Sequence, residues 1–98
     1  MPIDTIGLDA DDTLWHSERV FHLTEQRFAG LLQPWLGHGD DALERLLATE
    51  RRNVQIFGYG VKGFALSMVE TAVEVSGGEV TGAQVQQILD WAKEMMQH

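Results

Sequence analysis

The sequence predicts a mainly α protein, with one N-terminal strand followed by about four helices that close on a single core. Three observations predict it. Apolar residues recur at three- and four-residue steps along most of the chain, capping and breaker residues cut that pattern into helix-length segments, and only one short apolar run near the N-terminus suits a strand. With 98 residues and 44% hydrophobic side chains, there is material for one small domain and one core.

Taken in order, Ile3, Ile6 and Leu8 suit a short strand buried on both faces, ending at Asp9. Val20, Phe21, Leu23, Phe28, Leu31, Leu32 and Trp35 then follow the helical period, and Pro34, which lacks an N–H, is expected to stop or kink that helix. Gly37-His38-Gly39-Asp40 reads as a turn. Asp41 and Glu44 have capping-box spacing ahead of Leu43, Leu46 and Leu47, so a second helix is expected to about Arg52. Residues 53–63 read as a glycine-rich connection. Phe64, Leu66, Met68, Val69, Ala72, Val73 and Val75 form a strongly apolar third helix, expected at the centre and ending at Gly77-Gly78. Thr81 and Gln84 offer a second capping box, and Val85, Ile88, Leu89, Ala92 and Met95 or Met96 set one apolar face of the last helix. A lone strand cannot satisfy its own backbone groups, so it is expected to pair with a second copy or with a missing segment, to detach, or to become disordered, with self-association the expected outcome.

Composition narrows the function. Fifteen acidic against seven basic side chains give a formal net charge of -8, which repels nucleic acid and anionic membranes. There is no cysteine, hence no disulfide and no thiolate metal site. No signal-like N-terminus and no run of the roughly 18 apolar residues needed for a membrane span are present, so a soluble cytoplasmic protein is expected.

The strongest chemical signal is Gly7-Leu8-Asp9-Ala10-Asp11-Asp12-Thr13-Leu14, where two carboxylates two apart follow the hydrophobic run. Leaving the carboxyl end of a buried strand, a chain can deliver both into one crevice, the place where open α/β sheets bind ligands. A calcium loop does not fit: counting from Asp9, its glycine and glutamate positions are occupied by Leu14 and Val20. A solvated surface turn is the plainer alternative.

This Asp-x-Asp-x-Thr pattern resembles the signature of haloacid dehalogenase (HAD) superfamily phosphohydrolases, and Trp15-His16-Ser17-Glu18 leads into a helical insertion as in members whose cap follows that motif. The resemblance implies a Rossmann-like α/β core with a helical cap for the whole family fold, residues 1–15 supplying the first core strand and nucleophile loop and residues 16–98 the cap. It implies that Asp9 attacks phosphorus to form an aspartyl-phosphate and that Asp11 is the general acid and base. It further implies Mg²⁺ held by the Asp9 carboxylate and the Asp11 main-chain carbonyl together with a later acidic residue, and Thr13 bracing the loop. The family's phosphate-binding Ser/Thr, its lysine and its later acidic pair have no counterpart in these residues. The expected function is therefore the N-terminal part of a Mg²⁺-dependent phosphomonoester hydrolase acting on a small phosphorylated substrate, inactive as this isolated chain. The alternative is a non-catalytic helical module that dimerises through apolar faces. Self-association, or docking on the missing core, is expected in either case.

Gly58-Tyr59-Gly60-Val61-Lys62-Gly63 spells G-x-G-x-x-G after the strand-like Val54-Gln55-Ile56-Phe57. A dinucleotide site would also need a second strand ending in an acid, and Val75 to Thr81 offers none, so a tight helix-to-helix connection is the commoner reading. By resemblance this run is cap sequence near the substrate. Lys62 or Arg52 could then meet a substrate anion, although solvated surface charge is the plainer role for both. His16, His22, His38 and His98 have no metal-ligand spacing. Met68, Met95 and Met96 read as core or interface filler, and Trp91 as a residue that packs or seals one end of the bundle.

Overall fold

The computed structural model describes the backbone of residues 6–37 and 41–97, and the side chains of residues 18–37 and 41–97. Four helices follow one another: α1 (Ile6–Leu32), α2 (Ala42–Phe57), α3 (Val61–Ser76) and α4 (Gly82–Met96), with a single 3-10 turn (Gln33–Trp35) after α1. The mainly α class and the helix number are those the periodicity predicts.

The expected strand differs. Ile6 to Leu8 form the first turn of α1, and no strand occurs among the described residues; Ile3 lies outside them. The physical reason is that a helix satisfies its backbone N–H and C=O groups within the segment, whereas a strand without a neighbour leaves them bare.

α1 ends at Leu32, two residues before Pro34, whose ring restricts the residue before it and whose nitrogen cannot donate. In its C-terminal half Thr24, Phe28 and Leu32 are buried at four-residue steps. Asp41 caps α2 by accepting from the Leu43 N–H at 2.9 Å. α2 continues five residues past its expected end at Arg52. Its buried stripe, Ala42, Leu46, Thr49 and Asn53, turns polar halfway, so apolar periodicity stops before the helix does.

That polar half is satisfied across the seam. Thr71 Oγ1 donates to Thr49 Oγ1 at 2.9 Å, and Asn53 Nδ2 donates to Ser67 Oγ at 3.3 Å and Glu70 Oε1 at 2.9 Å. Numbers fall along α2 as they rise along α3, so the two helices form an antiparallel hairpin. α3 carries the longest buried set, including Phe64, Met68 and Ala72, and packs against all three other helices, the central place its composition predicts. It ends at Gly77, left-handed with φ 62°, where the Gly78 N–H reaches back to the Val73 carbonyl at 2.9 Å.

α4 starts with the predicted capping box: Gln84 N–H donates to Thr81 Oγ1 at 3.1 Å, and Gln84 Oε1 accepts from the Thr81 N–H at 2.9 Å. Ile88, Ala92 and Met95 are its buried residues, whereas Leu89 and Met96 face outward. Trp91 packs partly buried against the core as expected, and Met68 lies in it. Arg27 to Glu94 at 3.0 Å and Trp35 Nε1 to Glu79 at 3.3 Å tie α1 to α4 and the segment before it.

Candidate functional site

The α2–α3 hairpin turn is built by the G-x-G-x-x-G run. Gly58 and Gly60 adopt φ 75° and 120°, a region open to glycine but costly for residues with a Cβ. Gly63 serves differently: a Cβ there would lie 2.7 Å from the Gly58 carbonyl oxygen, so its lack of a side chain lets α3 begin against the turn. Val54 to Phe57, which look strand-like in sequence, are the last turn of α2. A dinucleotide-binding unit needs a strand on that side, and the three glycines instead make a helical hairpin, the reading favoured from sequence.

Beside this turn α1, α2 and α3 enclose a cleft of about 320 Å³. Phe21 from α1, Leu47, Val54 and Phe57 from α2, and Phe64 from α3 supply apolar walls; Glu50, Arg51, Asn53 and Ser67 supply polar atoms. The rings of Phe21 and Phe64 pack tilted at 46° with centroids 5.0 Å apart, fixing one wall. Tyr59 stands at the mouth, 94% exposed.

Two carboxylates near the cleft differ. Glu70 accepts from Asn53 and from Arg52, and those contacts, Asn53's first, hold its carboxyl below the usual range. Glu50 is half-buried in the wall and makes no hydrogen bond or ion pair among the described residues; burial, and secondarily the nearby Glu25, push its carboxyl up.

Most of the residues singled out from sequence have side chains outside the described residues. The backbone of Asp9, Asp11 and Thr13 lies in α1, and their side chains fall outside the described residues. Lys62 is exposed in the first turn of α3, has no ion-pair partner among the described residues and is not part of the cleft wall. Arg52 is committed to Glu70 at 3.3 Å and Glu74 at 3.2 Å, the surface-charge role given to it. His22 sits exposed beside Glu25 and Gln26, while the side chains of His16, His38 and His98 are outside the described set. Among the described residues no three His, Asp or Glu side chains gather to hold a metal; the side chains of Asp9 and Asp11 lie outside that set. No helix there is long and apolar enough to cross a membrane.

Sequence reasoning missed the cleft. Glu50 reads as an ordinary helical charge, yet it lies four residues after buried Leu46, at the edge of the α2 stripe. An acid at that register was the available signal.

Among solved structures, the chain is similar to a haloacid dehalogenase-like family hydrolase from Xanthomonas campestris, with 38% sequence identity and a TM-score of 0.73. The match covers 84% of this chain and 34% of that one, so the chain spans about a third of that hydrolase's length. No family model matches the chain, and no curated protein matches it.

Proposed function

We propose that these residues are the nucleophile segment and helical cap of a haloacid dehalogenase-like phosphohydrolase, and that hydrolysis belongs to the larger assembly of cap and core. The observation that carries the reading is the 38% identity with a haloacid dehalogenase-like hydrolase at a TM-score of 0.73, over 84% of the chain. The Asp9-Ala10-Asp11-Asp12-Thr13 run gives that likeness its chemistry. In this proposal Asp9 attacks the phosphorus of a small phosphomonoester, the alcohol leaves with a proton from Asp11, and Asp11 then takes a proton from the water that frees phosphate. Splitting one displacement into two avoids direct attack by water on an anionic ester.

Mg²⁺, when bound, would neutralise charge on the transferring group, with the Asp9 carboxylate and the Asp11 main-chain carbonyl as its proposed holders from this chain. Thr13 would brace the loop, and Lys62, exposed beside the hairpin turn, would meet substrate charge where the cap faces the core. The core is the partner that would supply strand neighbours to residues near the N-terminus.

Hydrolysis of p-nitrophenyl phosphate with Mg²⁺ tests this on the polypeptide that continues through a core. Activity is expected there, lost by at least about a hundredfold in Asp9→Asn and Asp11→Asn, and absent from the 98-residue chain alone. An Asp9→Asn enzyme with undiminished turnover would overturn the assignment.

A further inference from the structure

The cleft at the α2–α3 turn has a chemistry that phosphate handling does not use. Its walls are aromatic and aliphatic, from Phe21, Val54, Phe57 and Phe64, and its half-buried acid is Glu50. Glu70, Glu74, Glu79 and Glu94 each have a partner within the chain, whereas Glu50 has none among the described residues.

A carboxylate taken partly out of water without a counter-charge is relieved by a cation, a proton or a hydrogen-bond donor, and a cation also restores the missing counter-charge. Glu25 on α1 repels it, and exposed Arg51, which lines the same cleft from α2, makes no ion pair with it. The aromatic residues of its lining, Phe21, Phe57 and Phe64, suit an ammonium that carries alkyl groups, since aromatic rings attract such cations. A volume of about 320 Å³ suits a small molecule.

From this juxtaposition we propose that the cleft binds a small organic cation of the alkylammonium class, its ammonium against Glu50 and its alkyl body among Phe21, Val54, Phe57 and Phe64. The site goes beyond the phosphohydrolase reading. Its test involves no hydrolysis, so either can fail without the other.

Titration of the ¹⁵N-labelled chain with choline, followed by amide shifts, is the experiment. Saturable shifts at the Gly58, Gly60 and Gly63 amides are expected. The neutral isostere 3,3-dimethylbutan-1-ol is expected to bind about tenfold more weakly, a difference of ~1.4 kcal/mol. Glu50→Gln is expected to bring choline down to the level of the isostere while leaving the isostere's own affinity unchanged. Comparison of the two ligands on the unaltered chain does not depend on how that variant folds. Equal affinity for choline and its isostere, shifts at these glycines produced by inorganic phosphate instead, or no saturable shift at all would each overturn the proposal.

Discussion

Replacing Gly63 by alanine should destabilise the protein, although alanine is the better helix former. Within a helix the exchange alone stabilises by roughly 0.5–1 kcal/mol. Here the new Cβ would sit 2.7 Å from the Gly58 carbonyl oxygen and 3.4 Å from the Phe57 Cβ, the first well inside the 3.4 Å at which ordinary contact begins. The obstacle is backbone, and it belongs to a turn whose positive-φ glycines already fix its path, so relief requires moving the start of α3 away from α2. Forcing one extra carbon into a packed site costs about 1–3 kcal/mol, which outweighs the propensity gain. The expected net loss, centred on about 1 kcal/mol and at most about 2.5 kcal/mol, lowers Tm by roughly 4–8 °C per kcal/mol for a domain of this size. Gly30→Ala is the matched control: a Cβ in α1 at that position meets nothing within 4 Å, so it should raise Tm by a few degrees. Thermal unfolding followed by circular dichroism reads both. A Gly63→Ala variant as stable as the parent would refute the close-approach account of the hairpin.

Three further outcomes follow from the polar seam, the α4 cap and the half-buried acid of the cleft. Asn53→Ala removes the donor to Ser67 and Glu70 and should cost about 1–3 kcal/mol in urea unfolding, because groups at a buried seam lose their partner. Thr81→Ala breaks the capping box and should cost about 1 kcal/mol, with Thr81→Ser close to the parent in the same assay. Glu50→Gln should stabilise at neutral pH and lose that advantage in acid. Its folded carboxyl binds a proton more readily than the ordinary value of 4.5, so its cost to folding is absent below 4.5, grows as pH rises toward the raised value and is full above it. Paired urea midpoints at about pH 7 and pH 3.5 check this, and a gap between variant and parent that widens in acid would contradict it. Glu70 acts in the opposite sense, its contribution being present above 4.5 and lost as pH falls through its lowered value.

Much of the helical scaffold was legible because its signals are local. Pro34 marks the end of α1, Gly77 the end of α3, and Thr81 with Gln84 the start of α4, each through backbone chemistry that needs no tertiary partner. The end of α2 was not legible: Thr49 and Asn53 break the apolar pattern, and only their partners Thr71, Ser67 and Glu70 on α3 make them core residues. At the N-terminus Ile6 to Leu8 are helical where a strand is expected, since a strand depends on neighbours that the described residues do not provide. Of the G-x-G-x-x-G run, the turn was foreseen and the adjoining cleft was not, because Phe21 and Phe64 meet only when α1 crosses the hairpin.

The central proposal is that Asp9 is a nucleophile toward phosphorus in a longer polypeptide that would join the proposed cap to a core. Borohydride reduction during turnover of a phosphomonoester, followed by peptide mass spectrometry, tests it most directly, because reduction converts an aspartyl-phosphate to homoserine. The account predicts homoserine at position 9 and none in Asp9→Asn. Homoserine at another aspartate, or none during active turnover, would contradict it.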